Sequence, residues 1–221
     1  MQDRWTSLTA LTDPSRRALY DYVRRQDHPV SREEAADVQR MSRGLAAFHL
    51  DKLVDAGLLR ARYEAPADQP RGRGRAPKVY EAAGDGLAIT VPERRYELIA
   101  EILADAVADD PAHAAEAARR YAHARGEAIG AQLRAERVDI ASVLAGLGFE
   151  PQLAQDGRIL LHNCPFHALA ARHTTLVCGL NHTLIAGLVE GLGIADLQAR
   201  LVPRPGACCV ELAAPPPSDR Q

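Results

Sequence analysis

The cysteines of this 221-residue chain are crowded toward its C-terminal end: Cys164, Cys178 and the adjacent pair Cys208 and Cys209. Four of its eight histidines, His162, His167, His173 and His182, share that stretch. Thiolates and imidazoles are the ligands that soft and borderline metals prefer, so the grouping points to one metal centre. Any one of these residues alone reads as an ordinary small buried side chain or a hydrogen-bonded core histidine; their crowding favours a site.

The local sequence suggests how each thiol is presented. Asn163-Cys164-Pro165 puts a thiol at an expected helix start, where free N–H groups and the helix dipole lower a thiol pKa and favour the thiolate. Cys178 falls on the following helix with His182 one turn on, along the same face. In an expected last strand Cys208, Val210 and Leu212 alternate to the apolar side and Cys209 and Glu211 to the other, so Cys208 is the member of the pair expected at the site. The short Cys-x2-Cys pairs of zinc ribbons and bacterial ferredoxins are missing, so spacing alone names no particular metal. A fourth ligand stays open among His173, His167, His182, Cys209 and an exogenous thiol.

The N-terminal half carries a different chemistry. Residues 1 to 80 hold 15 Lys and Arg against 11 Asp and Glu, whereas residues 81 to 221 hold 12 against 18. The sharpest positive piece is Gln69-Pro-Arg-Gly-Arg-Gly-Arg-Ala-Pro-Lys78, with four cations and no acid. A compact basic loop on an otherwise acidic chain points to a polyanion. Asp13-Pro14 predicts a helix start, running to about Gln26. Ser31-Arg-Glu-Glu34 has capping-box spacing and predicts a short helix to about Val38. Ser42 predicts the cap of a longer helix to Ala56, ended by Gly57. Along it Ala46, Leu50, Leu53 and Val54 share one face, and Arg43, Ala47, Phe48 and Lys52 face outward. Leu58 to Tyr63, the basic loop and Lys78 to Tyr80 read as a two-strand ribbon with a long tip.

Helix, helix-turn-helix and basic hairpin in that order predict a winged helix-turn-helix over residues 1–90, although Gln39-Arg-Met41 takes the place of the glycine common in the turn. The expected core includes Leu45, Leu50, Leu53 and Leu58. Ser42 would meet a phosphate, Arg43 and Lys52 would face the major groove, and Phe48 would touch a thymine methyl. Arg71, Arg73, Arg75 and Lys78 would follow the backbone or minor groove. His49 reads as a packing residue.

Residues 91–137 predict a helical linker and dimerisation region, broken near Asp109-Asp-Pro111, with an apolar stripe first and then an alanine-rich stretch. Residues 138–213 predict a small α+β sensor domain, with helices over 138–147 and 174–192 and strands near 149–153, 158–161, 197–202 and 208–212. The tail from 214 to 221 is disordered by composition. The fold class is thus α+β. The start lacks the apolar core of a signal peptide and no continuous apolar run approaches the ~20 residues of a membrane span, which predicts a cytoplasmic protein. Gly-rich phosphate loops followed by Lys-Ser/Thr, GxSxG and HExxH motifs are all missing, so no enzyme is expected.

The segments Ser42-Arg-Gly-Leu-Ala-Ala-Phe-His-Leu-Asp-Lys-Leu-Val-Asp-Ala-Gly-Leu-Leu59, Gly72-Arg-Gly-Arg-Ala-Pro-Lys-Val-Tyr80 and Asn163-Cys-Pro-Phe-His-Ala-Leu-Ala-Ala-Arg-His173 resemble ArsR-like regulators that include the iron-sulfur repressor of the Suf operon. The resemblance implies a homodimer that binds double-stranded operator DNA and carries an iron-sulfur cluster, [4Fe-4S] or [2Fe-2S], on three cysteines. Cys164, Cys178 and one of Cys208 and Cys209 match those positions; the tandem pair and the nearby histidines depart from the pattern. The reading is a repressor whose operator affinity is set by the cluster. Its alternatives are zinc, thiol oxidation or an apolar small molecule as the signal.

Overall fold

The computed structural model describes residues 4–64, 76–84, 86–204 and 206–215. Arg71, Arg73 and Arg75 of the expected wing, and the tail from residue 216 on, lie outside them. The chain divides into two units, Met1–Ile89 and Thr90–Gln221, each built round its own core. The architecture is α+β as expected: helix-turn-helix with wing strands, a helical middle and a small antiparallel sheet near the cysteines.

The first unit comprises α1 (Arg4–Ala10), α2 (Pro14–Val23), β1 (Val30–Ser31), α3 (Arg32–Val38), α4 (Arg43–Asp55), β2 (Leu59–Tyr63) and β3 (Lys78–Ala82). Three side chains start its helices as the sequence predicts. Asp13, Ser31 and Ser42 accept from the backbone N–H groups of Arg16, Glu34 and Leu45, each satisfying one of a helix's free donors. Helix α2 stops at Val23, short of Gln26, because the chain tightens into i→i−3 bonds from Arg25 to Tyr22 and from Gln26 to Val23 ahead of His28-Pro29. In the turn between α3 and α4, Arg40 takes the left-handed conformation, φ 52°, that a glycine adopts freely.

The sheet order is β1-β3-β2, all antiparallel, with Val30 opposite Tyr80 and Ala61 opposite Tyr80 on its other side. β1 is two residues long, too short for alternation to announce it in the sequence. Leu19, Val23, Val30, Ala35, Leu50, Leu53, Leu58 and Tyr80 form the core. Leu45, expected among them, is instead exposed; on α4 the buried positions are Ala46, His49, Leu50 and Leu53. His49 is thus a packing residue, as expected.

The second unit comprises α5 (Tyr96–Asp109), a 3-10 turn (Pro111–His113), α6 (Ala114–Arg134), α7 (Ile140–Gly146), β4 (Pro151–Leu153), β5 (Ile159–Leu161), α8 (His167–Arg172), α9 (Thr174–Leu192), β6 (Gln198–Leu201) and β7 (Val210–Ala213). Its sheet runs β4-β5-β7-β6, all antiparallel. The alanine-rich helix α6 packs along α9 through glycines on both helices. A side chain on Gly126 or Gly130 would collide with the backbone of α9 at Leu184 or Leu188, and one on Gly187 or Gly191 with α6 at His123 or Glu127. Ala117, Ala118 and Ala122 are buried in the same core as the cysteines, so small side chains here serve close helix approach within the unit. By length and composition α9 could cross a membrane, yet its Val177, Leu180, Leu184, Ile185 and Leu188 are buried in this core.

Candidate functional site

Two groups of residues of different chemistry emerge, one exposed and one buried. In the first unit, α3, its turn and α4 leave Ser42, Arg43, Phe48 and Lys52 exposed. Lys52 pairs with Asp55 at 3.3 Å, on the same helix. Lys78 differs from its expected role: its Nζ lies 2.6 Å from Asp51 Oδ1 and 5.3 Å from the centre of the Tyr80 ring, which holds it against α4. Tyr80 donates its hydroxyl to the same Asp51 oxygen at 2.9 Å. Burial first, and then that bond, push the Tyr80 hydroxyl well above the usual phenol range. Asp51 therefore ties the strand leaving the wing to the second helix of the pair.

In the second unit the four cysteines come from three segments. Cys164 sits in the loop between β5 and α8, Cys178 on α9, and Cys208 and Cys209 just ahead of β7. All four are free and buried. The thiols lie near one another: Cys164 interacts with Cys208, Cys208 with Cys209, and Cys178 with Cys209. Among the described residues no group of three or more His, Cys, Asp or Glu side chains is placed to hold a single metal ion. The thiols form a linked row, not a shell round one point.

Two expectations about these residues are corrected. Cys209 does not turn away from the others: the strand begins only at Val210, after a bend, so the pleat that would separate Cys208 from Cys209 does not yet operate. Nor is the Cys164 thiol lowered by a helix start. α8 begins three residues later, at His167, and Cys164 is pushed well up, by its bond with Cys208 and then by burial. For Cys208 the bond with Cys164 pulls down, but the bond with Cys209 and burial outweigh it and leave the thiol pushed up to about 11. Burial likewise raises Cys178.

The histidines are engaged elsewhere or face out. His162 Nε2 lies 2.6 Å from Gln152 Oε1, and His182 Nε2 lies 3.2 Å from the Ala199 carbonyl, which leaves His182 off the thiols despite its spacing from Cys178. His167 and His173, at the two ends of α8, are exposed.

Three residues that spacing did not single out surround the thiols. Asn163 donates its amide to the carbonyls of Glu93, at 3.1 Å, and Gly148, at 2.6 Å, fixing the loop that carries Cys164. Arg94 donates to Asn163 Oδ1 at 2.5 Å and to the Cys164 carbonyl at 3.2 Å, and its charge acts on the Cys164 thiol. Asn181, 1 % exposed and one turn after Cys178 on α9, donates its amide to Cys208 Sγ at 3.1 Å; its Oδ1 is buried without a hydrogen-bond partner. Its i+3 spacing from Cys178 was the available signal.

Residues 11–62 match the model of a helix-turn-helix domain, a span that begins just after α1 and ends within β2. The first unit is a helix-turn-helix DNA-binding domain, and the protein is a DNA-binding transcriptional regulator. No curated protein and no solved structure matches the chain.

Proposed function

We propose that this regulator is a homodimeric repressor of the Suf-repressor kind, which binds double-stranded operator DNA through Ser42, Arg43, Phe48, Lys52 and the arginines of the wing. Its affinity is controlled by an iron-sulfur cluster held by Cys164, Cys178, Cys208 and Cys209. One observation carries the reading: thiols from three separate segments, spread over 46 positions of sequence, meet in one buried place.

The residues fit such a group. A cluster distributes its thiolates over several irons, so a row of four thiols suits it better than it suits one ion. Thiolate ligation replaces the three raised thiols, Cys164, Cys178 and Cys208, by an anionic centre, and Arg94 supplies a cation beside Cys164. Asn181 supplies an N–H to a ligand sulfur and keeps an unused carbonyl oxygen in the same place, a buried polar atom that an apolar packing site would not hold. When bound, the cluster supplies sensitivity to oxidants and to nitric oxide, through its oxidation, modification or loss. The chain's part is to couple ligand position to structure: α9 carries Cys178, and β7 follows Cys208 and Cys209 directly. A reducing cytoplasm suits four free thiols.

A second reading rests on the contact of the Cys178 and Cys209 thiols, which suits reversible disulfide formation in a metal-free regulator, or zinc in its place. Anaerobic purification separates them. Brown protein with visible absorbance, and matched iron and sulfide, supports the cluster. Colourless protein with one zinc per chain, or metal-free protein whose DNA binding follows thiol oxidation, overturns it.

A further inference from the structure

The outward side of α4 carries two large apolar side chains that the domain's own packing leaves uncovered. Leu45 is 45 % and Phe48 53 % exposed, three residues apart and therefore neighbours on the helix surface. Beside them, Gly44 has nothing within 4 Å of the place where a side chain would begin. No packing demand of the domain accounts for a glycine there, although it weakens the helix relative to alanine. What it does provide is backbone open to close approach. Ser42 and Arg43, both exposed, precede the patch at the N-terminal end of the helix. A hydroxyl, a cation and free helix N–H groups suit a polyanion beside the apolar pair, which an apolar protein surface would not satisfy. In a DNA major groove the apolar group on offer is the C5 methyl of thymine.

Resting on the operator-binding role proposed above for α4, we propose that Leu45 joins Phe48 in reading thymine methyl groups in the operator's major groove, with Gly44 allowing the start of α4 to come close to the bases. Recognition at these positions depends on a methyl group and not on a hydrogen bond. Deoxyuridine in place of thymidine keeps the base pair and the O4 acceptor and deletes only that methyl, which makes it the probe.

The full-length protein, purified anaerobically, selects duplexes from a randomised pool, and the preferred duplex is remade with deoxyuridine at one thymine at a time. Binding is expected to weaken about three- to fivefold at one or more positions, the loss that goes with one buried methyl group. Leu45→Ala or Phe48→Ala should bind the two duplexes equally at the affected position. Both side chains are exposed, and circular dichroism checks that the variants fold. Equal affinity for thymine and uracil duplexes at every position overturns the proposal alone, as does discrimination that survives in both variants, whereas a pool that yields no preferred sequence overturns the operator-binding reading and the proposal with it. A variant that alters the oligomeric state but leaves the discrimination intact assigns the patch to a protein contact and overturns it equally.

Discussion

Lys78 Nζ lies 2.6 Å from Asp51 Oδ1, so the first residue of β3 is anchored to the middle of α4. Tyr80, buried two residues further on, donates to the same oxygen. Asp51→Ala removes the acceptor of a buried hydroxyl as well as an ion pair, at an expected cost of about 1–2 kcal/mol in the stability of the DNA-binding unit. Operator affinity should fall as well, because the wing strand loses its fixed position on the helix. Chemical denaturation and a DNA titration of the same variant measure the two effects; unchanged stability would mean that the pair is idle.

The raised Tyr80 hydroxyl gives a pH dependence of definite sign. Its folded pKa lies above the ordinary phenol value, so its contribution is fully present below about pH 10 and is lost as pH rises beyond that. In the ultraviolet titration Tyr80 and Tyr22, whose hydroxyl is raised by its hydrogen bond to Glu34, should ionise later than the other tyrosines, and Tyr80→Phe should remove one of the two late ones.

Arg71, Arg73 and Arg75 carry the expected phosphate contacts of the wing. Replacing all three by Ala should weaken binding to every sequence and flatten the slope of log K against log salt by about 2.7, which is 0.9 for each phosphate released. Arg43→Ala, at the start of α4, should instead lower the preference for operator over random DNA, by about 1–3 kcal/mol if it meets a base edge.

The proposed cluster takes Cys209 as a ligand equal to the other three thiols. Serine at Cys164, Cys178, Cys208 or Cys209 should in each case abolish or strongly reduce bound iron and visible absorbance after anaerobic reconstitution, with the DNA-binding unit still folded on its own core. Full cluster in the Cys209→Ser protein would return that residue to a packing role.

Asn181→Leu separates the polar role of this side chain from its volume. It deletes an unpaired buried oxygen, so the apo unit should be as stable or slightly more so. With the N–H to Cys208 gone, the reduction potential of the proposed cluster should shift to more negative values. A potential identical to that of the parent protein, measured by redox titration of the visible bands, would show that Asn181 does not act on the site.

Local signals in the sequence were enough for most of the elements. Asp13, Ser31 and Ser42 each cap the helix they announce, and Thr174–Leu192 has the bounds its apolar pattern predicts. These features depend on neighbours within four residues, and the chemistry of a cap or a periodic face is complete in the sequence. The helix-turn-helix was legible for the same reason.

What depends on distant partners was decided by the tertiary structure. Alternation assigned Cys209 to the wrong side because a bend ahead of Val210 has no signature in the sequence. A rule for helix starts lowered the Cys164 thiol, whereas burial against Cys208 raises it. Leu45, expected in the core with Leu50 and Leu53, faces out, because α2 and α3 pack against the other side of α4. The alanine-rich helix α6, expected in a linker and dimerisation region, packs its small residues against α9 within the unit. The residue types that could make a site were therefore determined by the sequence alone. Which of them meet, and in what state of protonation, was set by burial and by contacts made across more than forty residues of chain.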